Sequence, residues 1–325
     1  MTQKNLDVVG IGNAIIDALA HVEVDFLKNN LPADVQPYAM TLITETQADE
    51  IYGSLKNCTI MPGGSAANSI ASFAALGGRA GYIGKVANDQ LGQIFTHDFR
   101  ALGIEFHTKP LEGGPATARC MSMITPDAQR TMCTYLGASV VFDEKDVDEA
   151  LIARANLTYL EGYLFDDQRA KAAYTRAAEL THRHGGRIAL SLSDPFCVHR
   201  HREDFLQLIH DHVDVLFANE EEMKVLLGSS DVDAAHAEIA KYCDIAVVTL
   251  GKNGSQIISN GEKYQIAVVE PTKLVDTTGA GDAYAAGFLY GLSQGQNLAE
   301  CGRMGSQSAA RIIAHIGARP TGEMS

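Results

Sequence analysis

The chain has 325 residues, of which 46% are hydrophobic and 20% are charged. That length suffices for one large α/β domain or two ordinary ones, and the composition is that of a folded protein. The formal net charge of −14 argues against a broad nucleic-acid surface, which would need clustered lysine and arginine. It leaves room for an anionic ligand, because a local nest of backbone N–H groups can bind phosphate within an acidic protein.

The N-terminal run and the cysteines indicate where the protein is located. The run MTQKNLDVVGIGNAII contains two glycines and lacks a small-residue cleavage site, so it predicts a strand rather than a signal peptide. No run of about 18 apolar residues predicts a membrane span. The six cysteines are scattered without a C-x-x-C pair, which is typical of free thiols in a reducing compartment. We therefore expect a cytoplasmic protein.

The first part of the chain combines strands and helices with two β-rich insertions. The regular elements predicted before residue 103 are strands at 6–12 and 80–86 and helices at 65–77 and 89–102. The segment 104–137 has two β-rich runs around the turn TPDAQ and predicts a hairpin. Another β-rich piece, AHVEV followed by YAMTLIT, lies between the first strand and the first helix. The insertions at about 14–45 and 104–137 therefore predict a small accessory sheet that acts as a lid.

From residue 143 onwards helices and strands alternate. The expected helices are at 143–155, 167–184, 201–212, 220–227, 232–242, 280–293 and 297–314. The expected strands are at 157–163, 186–192, 213–219 and 245–251, followed by a β-hairpin at about 255–269. This alternation predicts a parallel sheet covered by helices on both faces, with ligands beyond the carboxyl ends of its strands.

The sequence DTTGAGD at 276–282 predicts an anion-binding turn. Thr277 or Thr278 is expected to cap the following helix, whose first turn contains residues 279–281. First-turn N–H groups lack intrahelical partners, the helix dipole adds positive charge, and glycine admits an anion close to the backbone. Such a cradle stabilises a phosphoryl group during transfer, and Asp282 is placed to accept a proton from an attacking hydroxyl. A plain helix start explains any one of these residues, but not the motif as a unit.

Other nucleotide-binding motifs do not occur in the sequence. It contains no G-x-x-x-x-G-K-[ST] loop, and in VVGIGNAII the third glycine of G-x-G-x-x-G is replaced by Ile15. An NAD-dependent oxidoreductase is therefore disfavoured. The histidines at 199–201 and 210–212 offer an alternative metal site, although positions on surface helices explain them more simply.

Four motifs occur in order along the chain: GGSAANSIASFAALGGRAGYIGKVANDQLG, NEEE at 219–222, VVTLGKNG at 247–254, and DTTGAGD. With these motifs the sequence resembles the PfkB (ribokinase-like) family of carbohydrate and nucleoside kinases nearly end to end. The resemblance implies one α/β kinase domain over 1–325, a three-layer α/β/α sandwich with a mostly parallel central sheet and a small β-sheet lid. It also implies phosphoryl transfer from ATP with Mg²⁺.

By that resemblance Asp282 is the catalytic base, and the anion hole for the transferring phosphate is formed by Gly279, Ala280 and Gly281. Asn219 and Glu222 would position magnesium through water, although Asn-x-x-Glu is also the pattern of a helix capping box. The residues that the resemblance places along ATP are Asn219, Thr249, Gly251, Gly254, Gly305 and Ser308. Family members often bind a monovalent cation where Asp276 and Thr278 lie here, so potassium is a further expected ligand.

The resemblance also implies an acceptor clamp near the N-terminal motifs. Its residues are Asn13, Asp17, Gly63, Gly64, Asn68 and Glu161, with Arg130 as a lid arginine near the phosphates. A carboxylate and an amide together can select vicinal hydroxyls. A helix start after a Gly-Gly turn is the alternative interpretation of 63–68.

The expected acceptor is a nucleoside, because GNAIID, LEGYL and LSLSDPF are more similar to adenosine-kinase-type members than to ribokinase or fructokinase types. Transfer would then go to a 5′-type CH₂OH group, with adenosine as the first candidate and free ribose or fructose as the alternative. The base needs an apolar slot, for which the candidates, each equally suited to a core, are Met40, Met123, Tyr135 and Phe165.

A catalytically silent sugar or nucleotide sensor on the same fold is an alternative of another class. The intact Asp282 and its glycine turn disfavour it. We expect only small molecules as partners, with no nucleic acid and no membrane, and either a monomer or a homodimer.

Overall fold

The computed structural model describes residues 3–127, 129–229 and 238–320, so most of the helix expected at 232–242 falls outside the described residues. Its strands are β1 Leu6–Ile11, β2 Ile15–His21, β3 Met40–Leu42, β4 Thr59–Gly63, β5 Ala80–Ile83, β6 Glu105–Phe106, β7 Ala118–Ile124, β8 Arg130–Tyr135, β9 Ala155–Glu161, β10 Arg187–Ser191, β11 Val215–Asn219, β12 Ile245–Thr249, β13 Ser255–Ser259 and β14 Glu262–Ile266. Its α-helices are α1 Val24–Asn30, α2 Glu45–Ser54, α3 Ser65–Ala75, α4 Gln90–Ala101, α5 Glu149–Ile152, α6 Gln168–Arg183, α7 Pro195–Arg200, α8 Arg202–His212, α9 Glu220–Leu227, α10 Ala280–Ser293 and α11 Leu298–Ile312.

A large mixed sheet forms the centre of the fold. Within the described residues it has nine strands in the order β14-β13-β12-β11-β10-β9-β1-β5-β6. The strands from β12 to β6 are parallel to one another, β13 is antiparallel to β12, and β14 is antiparallel to β13. The parallel strands therefore end at one edge, where the loops that follow β1, β9, β11 and β12 come together.

Helices cover both faces of the large sheet, as the alternation of strands and helices predicts. Side chains of a strand point alternately to opposite faces. In β1, Val9 and Ile11 enter one core beneath α6, while Val8 enters the other core beneath α3, α4 and α10. Both cores consist of buried aromatic and aliphatic side chains. The predicted three-layer ribokinase-like α/β fold is confirmed.

A smaller sheet lies beside the large one and has its own core. Its five described strands follow the order β3-β8-β7-β2-β4. Met121 and Met123 of β7 pack against Leu27 of α1 and Ile51 of α2, so these two helices cover one face of the sheet. The small sheet extends beyond the two expected insertions, because its strand β4 lies after residue 45. Conversely, β6 lies within the second insertion but pairs with the large sheet.

Two local predictions are wrong. The segments AHVEV and YAMTLIT are only partly extended, since α1 and α2 lie beside them; the capping box of Thr44 with Gln47 starts α2. The helix expected at 143–155 is replaced by a 3₁₀ turn and the one-turn helix α5, because Asp143 and Asp148 cap separate turns. The helix expected at 201–212 is confirmed as α8, and the separate helix before it, α7, which Asp194 caps, was not predicted.

None of the helices in the described part of the chain is both long enough and apolar enough to cross a bilayer.

Burial of Phe288 on α10 generates a stability prediction. Its ring is fully buried and meets Phe217 of β11 edge-on with ring centroids 5.4 Å apart. We expect Phe288→Ala to lower the free energy of unfolding by about 3–5 kcal/mol, because it leaves a cavity beneath the helix. Urea denaturation measures this, with Leu274→Ala as control, since Leu274 is 68% exposed. Equal losses in the two variants would contradict the packing described here.

Candidate active site

The carboxylate of Asp282 lies where the N-termini of α3 and α10 meet. Ser65, the first residue of α3, donates from Oγ to Asp282 Oδ1 over 2.6 Å. Asn68, one turn further, donates from Nδ2 to Asp282 Oδ2 over 3.2 Å. Burial raises the pKa of Asp282 to about 6, against these two hydrogen bonds, which favour the charged form. A carboxylate with a raised pKa that is still ionised at neutral pH suits a general base.

Gly279, not a threonine, is the N-cap of α10, so the expected capping by Thr277 or Thr278 is wrong. Gly279 has φ of 76°, in the left-handed region, and a Cβ there would lie 2.5 Å from the Cβ of Ala318. The turn therefore depends on glycine. The N–H of Ala280 already donates to Thr277 O over 3.2 Å, whereas a Cβ on Gly281 would meet open space. The backbone at Gly281 is thus the open part of the turn.

Arg130 of β8 connects the small sheet to the loop before α10. It donates from Nη1 to Thr278 Oγ1 over 2.5 Å and forms an ion pair with Asp276. The N–H groups of Thr278 and Gly317 also bond to Asp276. Burial alone would raise the pKa of Asp276, but these N–H groups and the guanidinium hold it below its ordinary value. A monovalent cation between Asp276 and Thr278 would compete with the guanidinium.

Asp17 of β2 points into the site beside Gly63 of β4. The two residues sit on antiparallel strands, and a Cβ on Gly63 would lie 2.2 Å from Asp17 Oδ2, so only glycine leaves room for this carboxylate. Burial raises the pKa of Asp17 to about 6; the positive charges of Arg319 and Arg130 lower it, and the Asp282 carboxylate raises it.

Glu161 at the end of β9 holds two neighbouring elements together. Its Oε1 accepts from Asn13 Nδ2 over 2.5 Å, and its Oε2 accepts from the N–H of Ala66 in the first turn of α3 over 2.7 Å. Burial raises the pKa of Glu161 to about 7, although the donors of Ala66 and Asn13 favour the charged form. Glu161 therefore fixes the start of α3, where Ser65 meets Asp282.

Asn219 and Glu222 form a capping box at the start of α9. Asn219 Oδ1 accepts from the N–H of Glu222 over 2.8 Å, and the N–H of Asn219 donates to Glu222 Oε2 over 2.8 Å. Burial raises the pKa of Glu222 to about 7, and the nearby Asp194 carboxylate adds to the shift. The interpretation as a cap is confirmed, and the cap leaves a buried carboxylate that faces another one. Such an oxygen donor set fits a hydrated Mg²⁺.

Two of the four histidines in the segments 199–201 and 210–212 pair with carboxylates. His201 bonds to Asp166 over 2.6 Å, and His210 bonds to Asp211 over 2.8 Å. Across the described ranges no group of three or more His, Cys, Asp or Glu side chains is arranged to hold a metal ion.

One cavity of about 1140 Å³ brings most of the expected site residues together. Those that line it are Asn13, Asp17, Gly64, Glu161, Asn219, Glu222, Thr249, Thr278, Gly279, Ala280, Gly281 and Asp282. Four more of the expected residues contact lining residues without lining the cavity themselves, and these are Asn68, Gly63, Arg130 and Asp276. Gly251 and Gly254 lie in the turn after β12.

Gly305 and Ser308 are not brought to the cavity. Gly305 packs against the backbone carbonyl of Tyr284, and Ser308 packs against Gly287, both on α10. Small residues at these two positions allow α11 to lie close to α10.

The small sheet supplies an apolar wall of the cavity next to Asp17, which lies on its strand β2. The cavity residues it provides are Ile15, Met40, Leu42, Cys120, Met132, Thr134 and, just after β8, Leu136. Of the four expected base-slot candidates only Met40 lines the cavity. Met123 is buried under α1 and α2 with Tyr135 packed against the same core, and Phe165 belongs to the core beneath α6.

Sequence reasoning missed two side chains that contact the predicted residues. Ser65 follows directly after Gly64, and its place at the first helical position was the available signal. Arg319 donates from Nε to Asn68 Oδ1 over 3.2 Å, although it lies 251 residues away in sequence. No local pattern indicates that contact.

The chain is similar to known kinases in both sequence and structure. Residues 38–323 match the family model described as pfkB family carbohydrate kinase. The chain is 26% identical over 322 residues to a 5-dehydro-2-deoxygluconokinase from Bacillus velezensis, covering 96% of this chain and 89% of that protein.

Two solved structures are similar over nearly the whole length. The adenosine kinase from Sinorhizobium meliloti has a TM-score of 0.90 and 45% identity, covering 98% of this chain and 97% of that one. A probable sugar kinase from Rhizobium etli CFN 42 has a TM-score of 0.91 and 43% identity, covering 99% and 97%. The chain therefore belongs to the pfkB family of carbohydrate kinases and is a sugar or nucleoside kinase of that type.

Proposed function

We propose that the protein transfers the γ-phosphoryl group of ATP to the 5′-type CH₂OH group of a nucleoside, with adenosine as the preferred acceptor. The observation that carries the proposal is the composition of the cavity. It combines hydroxyl-binding carboxylates and an anion-binding turn with an apolar wall large enough for a base.

In the proposed reaction Asp282 takes the proton of the acceptor hydroxyl as its oxygen attacks the γ-phosphorus. The new O–P bond forms while the bond between that phosphorus and the β,γ-bridging oxygen breaks, and ADP leaves. The backbone at 279–281 and the N-terminal dipole of α10 face the charge on the phosphoryl oxygens. No lysine is needed in the turn, because main-chain groups supply the positive potential.

ATP would extend from this turn along the carboxyl ends of β11 and β12, past Asn219 and Thr249 towards Gly251 and Gly254. Asn219 and Glu222 would hold Mg²⁺ through its water shell, and the ion would neutralise charge on the phosphates. Buried Glu222 beside Asp194 supports this placement, since a cation there relieves two facing carboxylates. Gly305 and Ser308 would act indirectly, by seating α10.

The acceptor would lie between Asp282 and the wall formed by the small sheet, which also carries Asp17. Asp17 accepts hydrogen bonds from ribosyl hydroxyls, and the base contacts Met40, Leu42 and other apolar side chains of that wall. Met40 is 49% and Leu42 53% exposed, so both retain apolar surface that a base would cover. The small sheet would then act as a lid that excludes water, the competing acceptor.

A free sugar or sugar acid is the second candidate acceptor, because the relatives at 26% identity are 5-dehydro-2-deoxygluconokinases. Two features favour the nucleoside over the acid. Asp17 and Asp282 stand at the acceptor end, where a substrate carboxylate would be repelled. The similar Sinorhizobium meliloti protein, at 45% identity, is an adenosine kinase.

Turnover on an acceptor panel tests the proposal. We expect ADP release from ATP and Mg²⁺ with adenosine, and weaker or no release with inosine, guanosine, ribose, fructose or 5-dehydro-2-deoxygluconate. Asp282→Asn should lower kcat by roughly 10²–10⁴-fold, the usual contribution of a general base. Asp211→Asn, an exposed carboxylate on α8, is the matched control and should leave kcat unchanged. Turnover confined to the sugar acid would exclude the nucleoside, and ligand binding without turnover would indicate a sensor.

The raised carboxyl pKa values predict the pH dependence. Asp282 and Asp17 each have a pKa of about 6, and each is needed in its ionised form. Activity should therefore be complete above that value and fall as the pH drops through about 6. The measurement is kcat/KM for the acceptor between pH 5 and 8, which reports the free enzyme. A flat profile down to pH 5 would be inconsistent with Asp282 as the base.

The apolar wall predicts a change in selectivity. Leu42→Ala should raise the KM for adenosine about tenfold through lost apolar contact, while the KM for ribose, which has no base, stays the same. Because Leu42 is 53% exposed, the substitution should cost little stability. Leu274→Ala, an exposed leucine that does not line the cavity, serves as the control. Equal changes for adenosine and ribose would refute a base slot at this wall.

A further inference from the structure

The last described residues of the chain lie against both halves of the site. The N–H of Gly317 donates to Asp276 Oδ2 over 2.8 Å, in the loop before the anion-binding turn. Ala318 packs directly on Gly279, which allows no Cβ on that side. Arg319 then reaches Asn68 on α3. Residues 317–319 thus join the two helix N-termini that meet at Asp282.

The guanidinium of Arg319 is enclosed, with only 9% of the side chain exposed. Its Nε donates to Asn68 Oδ1 over 3.2 Å, and its Nη1 donates to Asp98 Oδ2 over 2.8 Å. Its carbon lies 4.8 Å from the centre of the Phe99 ring. Burial lowers the pKa of Arg319 to about 10, so the side chain is still charged at neutral pH.

This contact determines which way the Asn68 amide faces. A guanidinium only donates hydrogen bonds, so Asn68 must present its oxygen to Arg319. Its NH₂ group is then turned towards Asp282, to which it donates over 3.2 Å. Without Arg319 the amide could rotate and present its oxygen to the Asp282 carboxylate, which is unfavourable.

Two further observations indicate that Arg319 does more than hold neighbouring elements together. Nη2 of Arg319 is buried and has no hydrogen-bond partner among the described residues, so the guanidinium has a donor to spare. A buried unpaired donor is costly unless it serves a ligand or an ordered water. The charges that act on Asp17 are those of Arg319, Asp282 and Arg130, and Arg319 has the largest effect of the three.

We propose that Arg319 is a positioning residue of the acceptor site, which orients Asn68 towards Asp282 and supplies, of the two positive charges that act on Asp17, the one with the larger effect. This inference rests on the proposed function for its kinetic consequences. Its electrostatic consequence is independent of turnover. Arg319 stabilises ionised Asp17, so removing the guanidinium must raise the pKa of that carboxyl.

The experiment compares Arg319→Gln and Arg319→Lys with Arg303→Gln, which removes an exposed arginine of α11. We expect Arg319→Gln to raise the KM for the acceptor about tenfold or more, to leave the KM for ATP within about twofold, and to move the acidic limb of kcat/KM to higher pH. Arg319→Lys keeps the charge but loses the fork, so its acidic limb should stay in place while kcat/KM falls. Arg303→Gln should match the wild type.

A carboxyl-carbon NMR titration of the free protein decides the matter without turnover. The pKa of Asp17 should rise in Arg319→Gln and stay near the wild-type value in Arg319→Lys. An unchanged Asp17 pKa together with an unchanged acceptor KM, whatever the loss of thermal stability, would overturn the proposal. If Arg319→Gln does not fold, Arg319→Lys decides, and wild-type kcat/KM in that variant rejects the role. A wild-type protein that phosphorylates no acceptor would refute the proposed function, while the titration would still decide on Arg319.

Discussion

The site depends on the meeting of two helix N-termini at one carboxylate. Asp282 begins α10 and accepts hydrogen bonds from Ser65 and Asn68, which begin α3. Each helix N-terminus brings positive potential, which partly offsets the cost of enclosing a charge. Glu161 holds the start of α3 from β9, and Ala318 supports the start of α10. Loss of either support would separate the Asp282 carboxylate from its donors.

The cavity also concentrates acidic side chains whose charge is only partly offset by protein groups. Asp17, Glu161, Glu222 and Asp282 all have raised pKa values, and desolvation is the first cause in each case. Raised pKa values of several enclosed carboxyls are characteristic of functional sites, because a core optimised for stability alone would pair or remove such groups. Hydroxyl groups that donate hydrogen bonds, together with a hydrated cation, are ligands that would stabilise the charged form of these carboxyls. The electrostatics of the chain thus agree with phosphoryl transfer to an alcohol.

Much of this arrangement could be predicted from the sequence. The alternation of helices and strands determined the fold class, and the motif DTTGAGD identified the turn at 279–281 and Asp282. Reasoning failed where the determining contact is not local. Arg319 meets Asn68 only through the tertiary fold, and Gly279 replaced the expected threonine cap because Ala318 packs against it. The prediction of the base slot failed for a related reason. Met40 is exposed and Met123 is buried because they occupy opposite faces of the small sheet, and only the tertiary fold determines which face is covered.

The small sheet has one further mechanical consequence. Among the described residues its five strands pair only with one another, and α1 and α2 enclose its own apolar core. Ile16 of β2, however, belongs to the core beneath α3, α4 and α10, so the sheet is anchored at that strand and a movement of β3 and β8 would pivot about it. The pair between Arg130 and Asp276 joins it to the loop before α10. Separating the two would therefore cost electrostatic work, and because both side chains are largely enclosed, salt would reduce that work only weakly.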